Sequence, residues 1–242
     1  MQSQETHYQA HLGPIYAWML GDLEAAFARA AAEIDDLPLP ADGGVAVDLG
    51  AGLGLHALAL AERGFAVVAV DTCELLLEEL RRRSGNLPIA AHLADLLGFR
   101  AFLSGPAQLI VCMGDTLTHL PSFAAVEALM DCVADALPRG GVFAATFRDY
   151  AARSLEGDQR FIPVRADEKR ILTCFLDYGE DQVTVYDLLH ERQDGRWQQR
   201  ISRYPKLRLA PERVAAALTA RAFKVKRDTG ASGMARIAAT KA

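Results

Sequence analysis

The regular alternation of apolar runs with helix-like segments between residues 44 and 147 constrains this fold more than any other feature. Short apolar runs, which indicate strands, occur at 44–49, 66–71, 88–93, 107–113 and 141–147. Segments with apolar side chains at helical spacing occupy 54–63, 73–83 and 121–137. Because the strands are apolar on both faces, the pattern predicts a parallel sheet covered on both sides by helices, a doubly wound α/β fold.

The segments that flank this core have different patterns. Apolar side chains recur at helical spacing over residues 14–36, which predicts one N-terminal helix ahead of the sheet. Beyond residue 150, three β-patterned runs follow one another without helices, at 170–179, 182–193 and 196–209. Asp194-Gly195 is the two-residue signal of a hairpin between the last two runs. A helix near Pro211 and two strands end the chain, so an antiparallel meander is expected as an insertion in the α/β fold.

Length, charge and cysteine spacing limit the classes of function. The 242 residues suit one large domain or a domain with an insertion, and 51% hydrophobic residues provide a sizeable core. A net charge of −5 offers no basic surface to nucleic acid or an anionic membrane, so we expect a small-molecule partner. The four cysteines form no C-x-x-C pair, which predicts neither a metal site nor disulfides. Without a leader pattern or an apolar stretch of roughly 20 residues, we expect a cytoplasmic protein.

The stretch "VAVDLGAGLGLH" combines a strand, a carboxylate and a glycine turn. Dinucleotide-binding turns place a third small residue where this chain has Leu55, so the spacing Gly50-x-Gly52-x-Gly54 departs from that motif. Asp48, two residues ahead of the turn, would repel a pyrophosphate and favour a ligand with positive charge. S-adenosylmethionine has an ammonium, a sulfonium and no phosphate, and it fits this turn better than NAD does.

Two further carboxylates follow the next two predicted strands. Asp71 lies 21 residues after Gly50, the distance at which an acid commonly accepts hydrogen bonds from ribose hydroxyls. Asp95 follows the third strand, where it is placed to accept a hydrogen bond from the adenine amino group while Leu96 packs on the ring. Either acid also suits a helix N-cap, and that alternative stays open. With Asp48, three acids at successive strand ends match one extended adenosyl ligand.

These residues, together with "QLIVCMGDTLTHL" and "LPRGGVFAATF", resemble class I S-adenosylmethionine-dependent methyltransferases over nearly the whole chain. The resemblance implies a Rossmann-like, mostly parallel sheet of seven strands, the last antiparallel and inserted between strands five and six. It also implies S-adenosylmethionine as cofactor and S-adenosylhomocysteine as product. The implied cofactor-binding residues are Tyr16, Asp48, Gly50, Gly52, Asp71, Thr72, Asp95, Leu96, Met113, Gly114 and Thr116.

Within that class, "VCMGDTLTHLP", "TFRDY" and the meander resemble the glycine N-methyltransferase group. The resemblance implies that Arg148 binds a substrate carboxylate and that Asp115 lies at the methionine end of the cofactor. Asp115 replaces an asparagine of that group, which favours an acceptor with an extra positive charge. In that group an arginine binds the cofactor carboxylate, and its position corresponds to about Ala26 in this chain. Arg29, one helical turn further on, is the alternative residue for this contact, and that alternative stays open.

Three parts are therefore expected in the chain. An N-terminal helical lid covers residues 1–40. A cofactor-binding α/β domain comprises 41–150 and 210–242. The antiparallel β insertion, residues 151–209, covers the active site.

The expected activity is methyl transfer from S-adenosylmethionine to a small-molecule acceptor, with an amine nitrogen favoured over an oxygen. The sulfonium already activates the methyl group, so the protein aligns the acceptor and excludes water. An amine must lose a proton before it is methylated, and Asp115 and His119 are the candidate bases that receive it. Arg148, which would bind the substrate carboxylate, is the third candidate catalytic residue. A structural role for His119 and a surface pair between Arg148 and Asp149 are the alternatives. The competing functions are O-methylation of a small acid or phenol and non-catalytic S-adenosylmethionine binding, while the glycine turn argues against an NAD-dependent oxidoreductase.

Overall fold

The structure of the chain is a computed structural model that describes residues 7–40, 43–230 and 233–242, so residues 1–6 of the predicted lid lie outside it. In chain order the strands are β1 (Gly44–Leu49), β2 (Phe65–Asp71), β3 (Ile89–Leu93), β4 (Leu109–Cys112), β5 (Val142–Phe147), β6 (Phe161–Ala166), β7 (Arg170–Tyr178), β8 (Gln182–Gln193), β9 (Arg196–Leu207), β10 (Phe223–Thr229) and β11 (Ala235–Lys241). The α-helices are α1 (Tyr16–Leu20), α2 (Leu23–Asp35), α3 (Leu55–Glu62), α4 (Glu74–Ser84), α5 (Phe123–Ala136) and α6 (Pro211–Thr219). Shorter helical turns occupy Tyr8–Leu12, Gly13–Ile15, Leu96–Phe102, Thr116–His119 and Gly157–Arg160. None of the helices within the described ranges is long and apolar enough to span a bilayer.

The larger sheet has the strand order β10-β11-β5-β4-β1-β2-β3. Neighbouring strands among β1 to β5 pair in parallel, while β11 runs antiparallel to both β5 and β10. This arrangement confirms the predicted doubly wound α/β fold and the position of the last strand. The carboxyl ends of β1, β2 and β4 consequently meet at one edge of the sheet.

Helices cover both faces of this sheet because its central strands are apolar on both sides. On one face, α2, α3 and α4 pack through Ile34, Leu60 and Leu77. On the other face, α5 and α6 pack through Leu129 and Leu218. All six residues of β5 are buried, as a strand covered on both sides requires.

The single N-terminal helix predicted over residues 14–36 is wrong, because the segment is broken into α1 and α2. Gly21 has a φ of +84°, in the region that favours glycine. Asp22 is extended, and its carboxylate accepts a hydrogen bond from the Ala25 N–H at 3.1 Å, which caps α2. The guanidinium of Arg165 occupies the space that a side chain at position 21 would need, so the break is where the N-terminal segment meets β6.

The inserted segment forms a separate antiparallel sheet in the order β6-β7-β8-β9, which we call the meander. Strands β7, β8 and β9 occupy the three predicted runs, but the sequence pattern does not predict β6. A bulge between Pro163 and Arg165 interrupts the pairing of β6 and removes the alternation that marks a strand. Proline is tolerated there because β6 lies at the edge of its sheet.

The N-terminal segment packs against the meander. Leu12 forms a buried cluster with Leu172 of β7 and Leu189 of β8. The indole N–H of Trp18 donates a hydrogen bond to the Asp167 carboxylate in the β6–β7 turn at 2.6 Å. The two segments therefore form one layer above the edge of the larger sheet.

Gly54, at the start of α3, gives a test of the packing beneath the glycine turn. Its φ is +90°, and a Cβ there would overlap the buried side chain of Leu80 on α4. Gly54→Ala should therefore lower the free energy of unfolding by about 1–3 kcal/mol more than Gly64→Ala does. Gly64 is the matched control, because its φ is +86° and a Cβ added there would meet open space out to 4 Å. Urea denaturation measures both, and equal losses would contradict close packing at Gly54.

Candidate active site

A cavity of about 960 Å³ opens at the carboxyl ends of β1, β2 and β4, beneath the N-terminal segment and the meander. Open α/β sheets bind their ligands at this edge. The predicted site residues that line the cavity are Tyr16, Gly50, Gly52, Asp71, Thr72, Asp95, Leu96, Met113, Gly114, Thr116, His119 and Arg148. The other two, Asp48 and Asp115, lie behind the cavity wall and are almost completely buried.

The amide groups of the glycine turn are engaged within the protein. The N–H groups of Gly50 and Ala51 both donate to the Val70 carbonyl, at 2.8 and 3.1 Å. The N–H of Gly52 donates to Asp71 Oδ2 at 2.8 Å. A phosphate-binding turn needs such groups free to point at the anion. The turn is therefore suited to close approach by a ligand that has no phosphate.

Asp71, at the end of β2, faces the cavity from beneath the turn. Its Oδ2 holds the Gly52 N–H and its Oδ1 accepts a hydrogen bond from the Cys73 N–H at 2.8 Å. Burial raises the pKa of Asp71, and these backbone hydrogen bonds oppose that rise. Each carboxylate oxygen keeps acceptor capacity for a second donor, so the geometry fits a ribose diol.

Asp48 ends β1 beneath the glycine turn, and 1% of its surface is exposed. Burial raises its pKa to about 6, although the Ala57 N–H at the start of α3 donates a hydrogen bond to the carboxylate. Among the described residues, its Oδ2 has no hydrogen-bond partner. Asp48 is therefore placed to affect the cavity through its charge from behind the wall rather than by contact.

At the predicted adenine end of the cofactor site the polar side chain is hydrogen-bonded within the protein, whereas at the predicted methionine end it is not paired with a carboxylate of the described residues. Asp95 is exposed at the cavity rim, and its Oδ1 accepts a hydrogen bond from the Leu97 N–H at 2.9 Å, so the N-cap alternative is part of its role. At the opposite end Arg29 lines the cavity. Within the described part of the chain no carboxylate lies at ion-pair distance from Arg29, whereas its neighbour Glu33 contacts His56 at 2.9 Å. Arg29 is thus available to a ligand carboxylate.

Asp115 is the centre of a buried hydrogen-bond network. Its φ is +74°, and 2% of its surface is exposed. Oδ1 accepts hydrogen bonds from the Arg148 N–H at 2.9 Å and the Thr118 hydroxyl at 3.0 Å. Oδ2 accepts from Arg148 Nη1 at 3.2 Å, from the Tyr150 hydroxyl at 3.3 Å and from the Lys206 ammonium. Asp115 was expected to favour an acceptor with an extra positive charge. In the structure Lys206, a residue of the protein itself, provides the positive charge beside this carboxylate.

The Asp115 carboxylate has two cations beside it, Lys206 and Arg148. Lys206, on β9, is buried, and burial lowers its pKa while the Asp115 carboxylate opposes that shift. The Arg148 side chain is 61% exposed, and it pairs with Asp115 through one nitrogen only. Two cations around one carboxylate leave the outer guanidinium nitrogens of Arg148 free to bind an anion.

His119 ends a short helical turn after β4 and is enclosed by aromatic rings. Its Nε2 lies 3.3 Å from the Tyr8 hydroxyl, and its ring stacks on that of Tyr204 with centroids 5.5 Å apart. Burial lowers the pKa of His119 well below its ordinary value, and the positive charge of Lys206 adds to this. Its buried Nδ1 has no partner among the described residues. His119 is therefore a neutral imidazole with one uncommitted nitrogen in the cavity wall.

Sequence reasoning did not identify Tyr8, Tyr204 or Lys206 as site residues. Tyr8 precedes the predicted helix, and the other two lie on a strand of the insertion, far from the glycine turn. The one available signal is that Tyr204 and Lys206 are two residues apart on a strand and so share a face. That spacing does not reveal which face covers the site.

Comparison with known proteins agrees with this fold. Residues 46–141 match the family model for a methyltransferase domain. No curated protein matches the chain.

Three solved structures show how widely the fold is shared. The CcbJ methyltransferase from Streptomyces caelestis is 17% identical with a TM-score of 0.79, covering 99% of each chain. CalS10 from Micromonospora echinaspora, an amino pentose methyltransferase solved with S-adenosylmethionine bound, is 18% identical with a TM-score of 0.70, covering 100% of this chain and 98% of its own. KedS8, a sugar N-methyltransferase from a Streptoalloteichus species, is 17% identical with a TM-score of 0.73, covering 94% and 91%.

The fold is thus that of the class I methyltransferases. Residues 46–141, which match the methyltransferase-domain model, contain the glycine turn together with Asp71 and Asp95. The narrower likeness to the glycine N-methyltransferase group stays a prediction.

The raised pKa of Asp48 predicts a pH-dependent effect of Asp48→Asn on the unliganded protein. The group binds its proton more tightly in the folded state, with a pKa of about 6, than in the unfolded state, with roughly 3.9. Wild-type stability therefore falls, relative to the variant, as pH rises from about 4 to 6, and stays lower above that range. Asp48→Asn should be more stable by about 1–3 kcal/mol at pH 7.5 and equal to wild type near pH 4.

Urea denaturation at several pH values measures this difference. Asp95→Asn is the control, because Asp95 is an exposed N-cap that asparagine replaces well. A difference between Asp48→Asn and wild type that does not change with pH would contradict a buried carboxylate with a raised pKa.

Asp71→Asn tests the ribose site. The change removes one charged acceptor of hydrogen bonds, so the Kd of S-adenosylmethionine should rise by about 10- to 100-fold, equivalent to about 1.5–3 kcal/mol. Asp135→Asn, an exposed change on α5, should leave the Kd unaltered. Isothermal calorimetry measures all three proteins, and an unaltered Kd in Asp71→Asn would exclude Asp71 from the cofactor site.

Proposed function

We propose that the protein transfers a methyl group from S-adenosylmethionine to the nitrogen of a small-molecule amine. The observation that carries this proposal is the neutral His119, with its unpartnered Nδ1 in the cavity wall. An amine attacks carbon through its lone pair, so an ammonium must first give up a proton. When His119 Nε2–H donates to the Tyr8 hydroxyl, Nδ1 offers a lone pair for that proton.

The remaining residues bind and align the reactants. When bound, S-adenosylmethionine supplies a methyl group already activated by its sulfonium. In this proposal Asp71 holds the ribose, Asp95 and Leu96 hold the adenine, and Arg29 holds the cofactor carboxylate. The N-terminal segment and the meander exclude water from the cavity, which favours a reaction in which the sulfonium charge disappears.

Arg148 supports an acceptor that carries an anionic group as well as an amine. Asp115 is neutralised by Lys206, so it does not select for a second positive charge on the acceptor. The free nitrogens of the Arg148 guanidinium can bind a carboxylate with two parallel hydrogen bonds. CalS10 and KedS8 act on an amino pentose and on a sugar nitrogen, which is consistent with nitrogen as the acceptor atom.

A screen with a methyl-labelled cofactor tests the proposal. The panel pairs amines with their hydroxyl counterparts, each with and without a carboxylate, and product analysis assigns the methylated atom. We expect turnover of amines and a loss of about 100-fold or more in His119→Gln, with unaltered cofactor affinity. Preferred turnover of phenols or carboxylic acids would replace N-methylation with O-methylation. Cofactor binding without turnover of any acceptor would replace it with a binding function.

Arg148→Lys tests the carboxylate contact. The lysine keeps the charge beside Asp115 but loses the planar fork, so KM should rise by about tenfold or more for an amine with a carboxylate. KM should barely change for the matched neutral amine, and kcat should change little for either. Arg100→Lys is the control, because Arg100 is exposed and pairs with Asp135 at the surface. Equal use of both amines by Arg148→Lys would show that Arg148 does not bind the acceptor carboxylate.

A further inference from the structure

One carboxylate lies on the apolar face of β8 that is turned towards the N-terminal segment. Val183, Val185 and Leu189 share that face with Asp187, which is 1% exposed. The strand register places Cys174 of β7 and Ser202 of β9 directly opposite Asp187. The three side chains form a polar row across a buried wall that also carries Lys206, and such a row needs polar partners.

The partner of this row is His7, the first residue that the structure describes. Its Nδ1 lies 2.6 Å from Ser202 Oγ, and its Nε2 lies 3.1 Å from Asp187 Oδ2. The Cys174 thiol donates to Asp187 Oδ1 at 2.8 Å. His7 is completely buried, and Ser202, which lies outside the cavity lining, is 5% exposed. Among the described residues neither His7 Nε2 nor Asp187 Oδ2 has a hydrogen-bond partner, so these two atoms are held together by ion-pair distance and burial rather than by a hydrogen bond.

His7 is connected to His119 by two routes. Its ring packs on that of Tyr204, with centroids 4.1 Å apart, and Tyr204 in turn stacks on His119. The next residue in the chain, Tyr8, contacts His119 Nε2 through its hydroxyl. Fixing His7 therefore fixes both the ring that stacks on His119 and the position of the hydroxyl at its Nε2, which can donate to that nitrogen or accept from it.

We propose that Asp187, Ser202 and His7 are positioning residues that hold His119 in one orientation and one tautomer. They act through Tyr204 and Tyr8. This inference rests on the proposed function only for the role of His119 in catalysis. Independently of catalysis, the inference states that Asp187 in the meander determines the orientation and tautomer of His119 at the edge of the larger sheet.

Asp187→Leu separates positioning from stability. Leucine suits the apolar neighbours on β8, but the change removes one partner of a buried pair and lowers stability, so urea denaturation first establishes that the variant is folded under the conditions of the measurement. Proteins with ¹⁵N-labelled histidine report the tautomer and pKa of each imidazole by NMR, and His119→Gln assigns the signals. Asp177→Leu, the same change on the outward face of β7, is the matched control. Calorimetry with S-adenosylmethionine checks that the cofactor site is intact.

In wild type and in Asp177→Leu we expect His119 to be neutral and in one tautomer between pH 6 and 8. In Asp187→Leu we expect exchange between tautomers, with the cofactor Kd within about twofold of wild type. For any acceptor found, kcat should fall by about 10- to 100-fold while KM changes little. Asp187→Asn, which keeps the shape of the side chain and removes its charge, should give intermediate NMR behaviour, and it provides the test if Asp187→Leu does not fold.

His119 signals that are the same in wild type and in the folded Asp187 variant would overturn the inference, whatever the acceptor is. The NMR measurement needs no acceptor. A failure to methylate any amine therefore overturns the proposed function alone, and unaltered His119 signals overturn the positioning role alone.

Discussion

Asp115 accepts hydrogen bonds from parts of the chain that are far apart in sequence. Thr118 is local, Arg148 follows β5, and Lys206 belongs to β9 of the meander. Removing one partner from a buried ion pair typically destabilises a protein by about 3–5 kcal/mol, because the other charge is left without compensation. The meander is therefore held over the sheet edge by a charge pair whose loss is costly, and the cavity beneath it depends on that contact.

The cavity has two halves with different origins. The half proposed for the cofactor is built mainly from the ends of consecutive strands, where Asp71 ends β2 and Asp95 lies two residues beyond β3. The acceptor half joins Tyr8 from the N-terminal segment, His119 and Arg148 from the sheet edge, and Lys206 from the insertion. Changes in the insertion can alter the acceptor half while the strand ends that face the cofactor stay as they are.

This division explains how much could be predicted from the sequence. Local patterns set the bounds of β1 to β5 to within about two residues, and the glycine turn with its following acids indicated the cofactor. The break at Gly21 was missed because the apolar spacing continues through it, although the Gly-Asp pair is a helix boundary signal. Strand β6 was missed because a bulge beside Pro163 disrupts its alternation. Contacts such as that between Asp115 and Lys206 depend on how two sheets pack, which no local pattern records.

The glycine turn, with its amides bonded to Val70 and Asp71, also affects which molecules compete for the site. ATP and NAD share the adenosine portion of the cofactor and are abundant in metabolism. Their affinity for proteins comes largely from backbone amides that surround the phosphates, and here those amides are already satisfied. A competing nucleotide would gain only its adenosine contacts, and it would bring negative charge next to Asp48. On the proposed function, nucleotides would therefore compete only weakly with S-adenosylmethionine for this cavity.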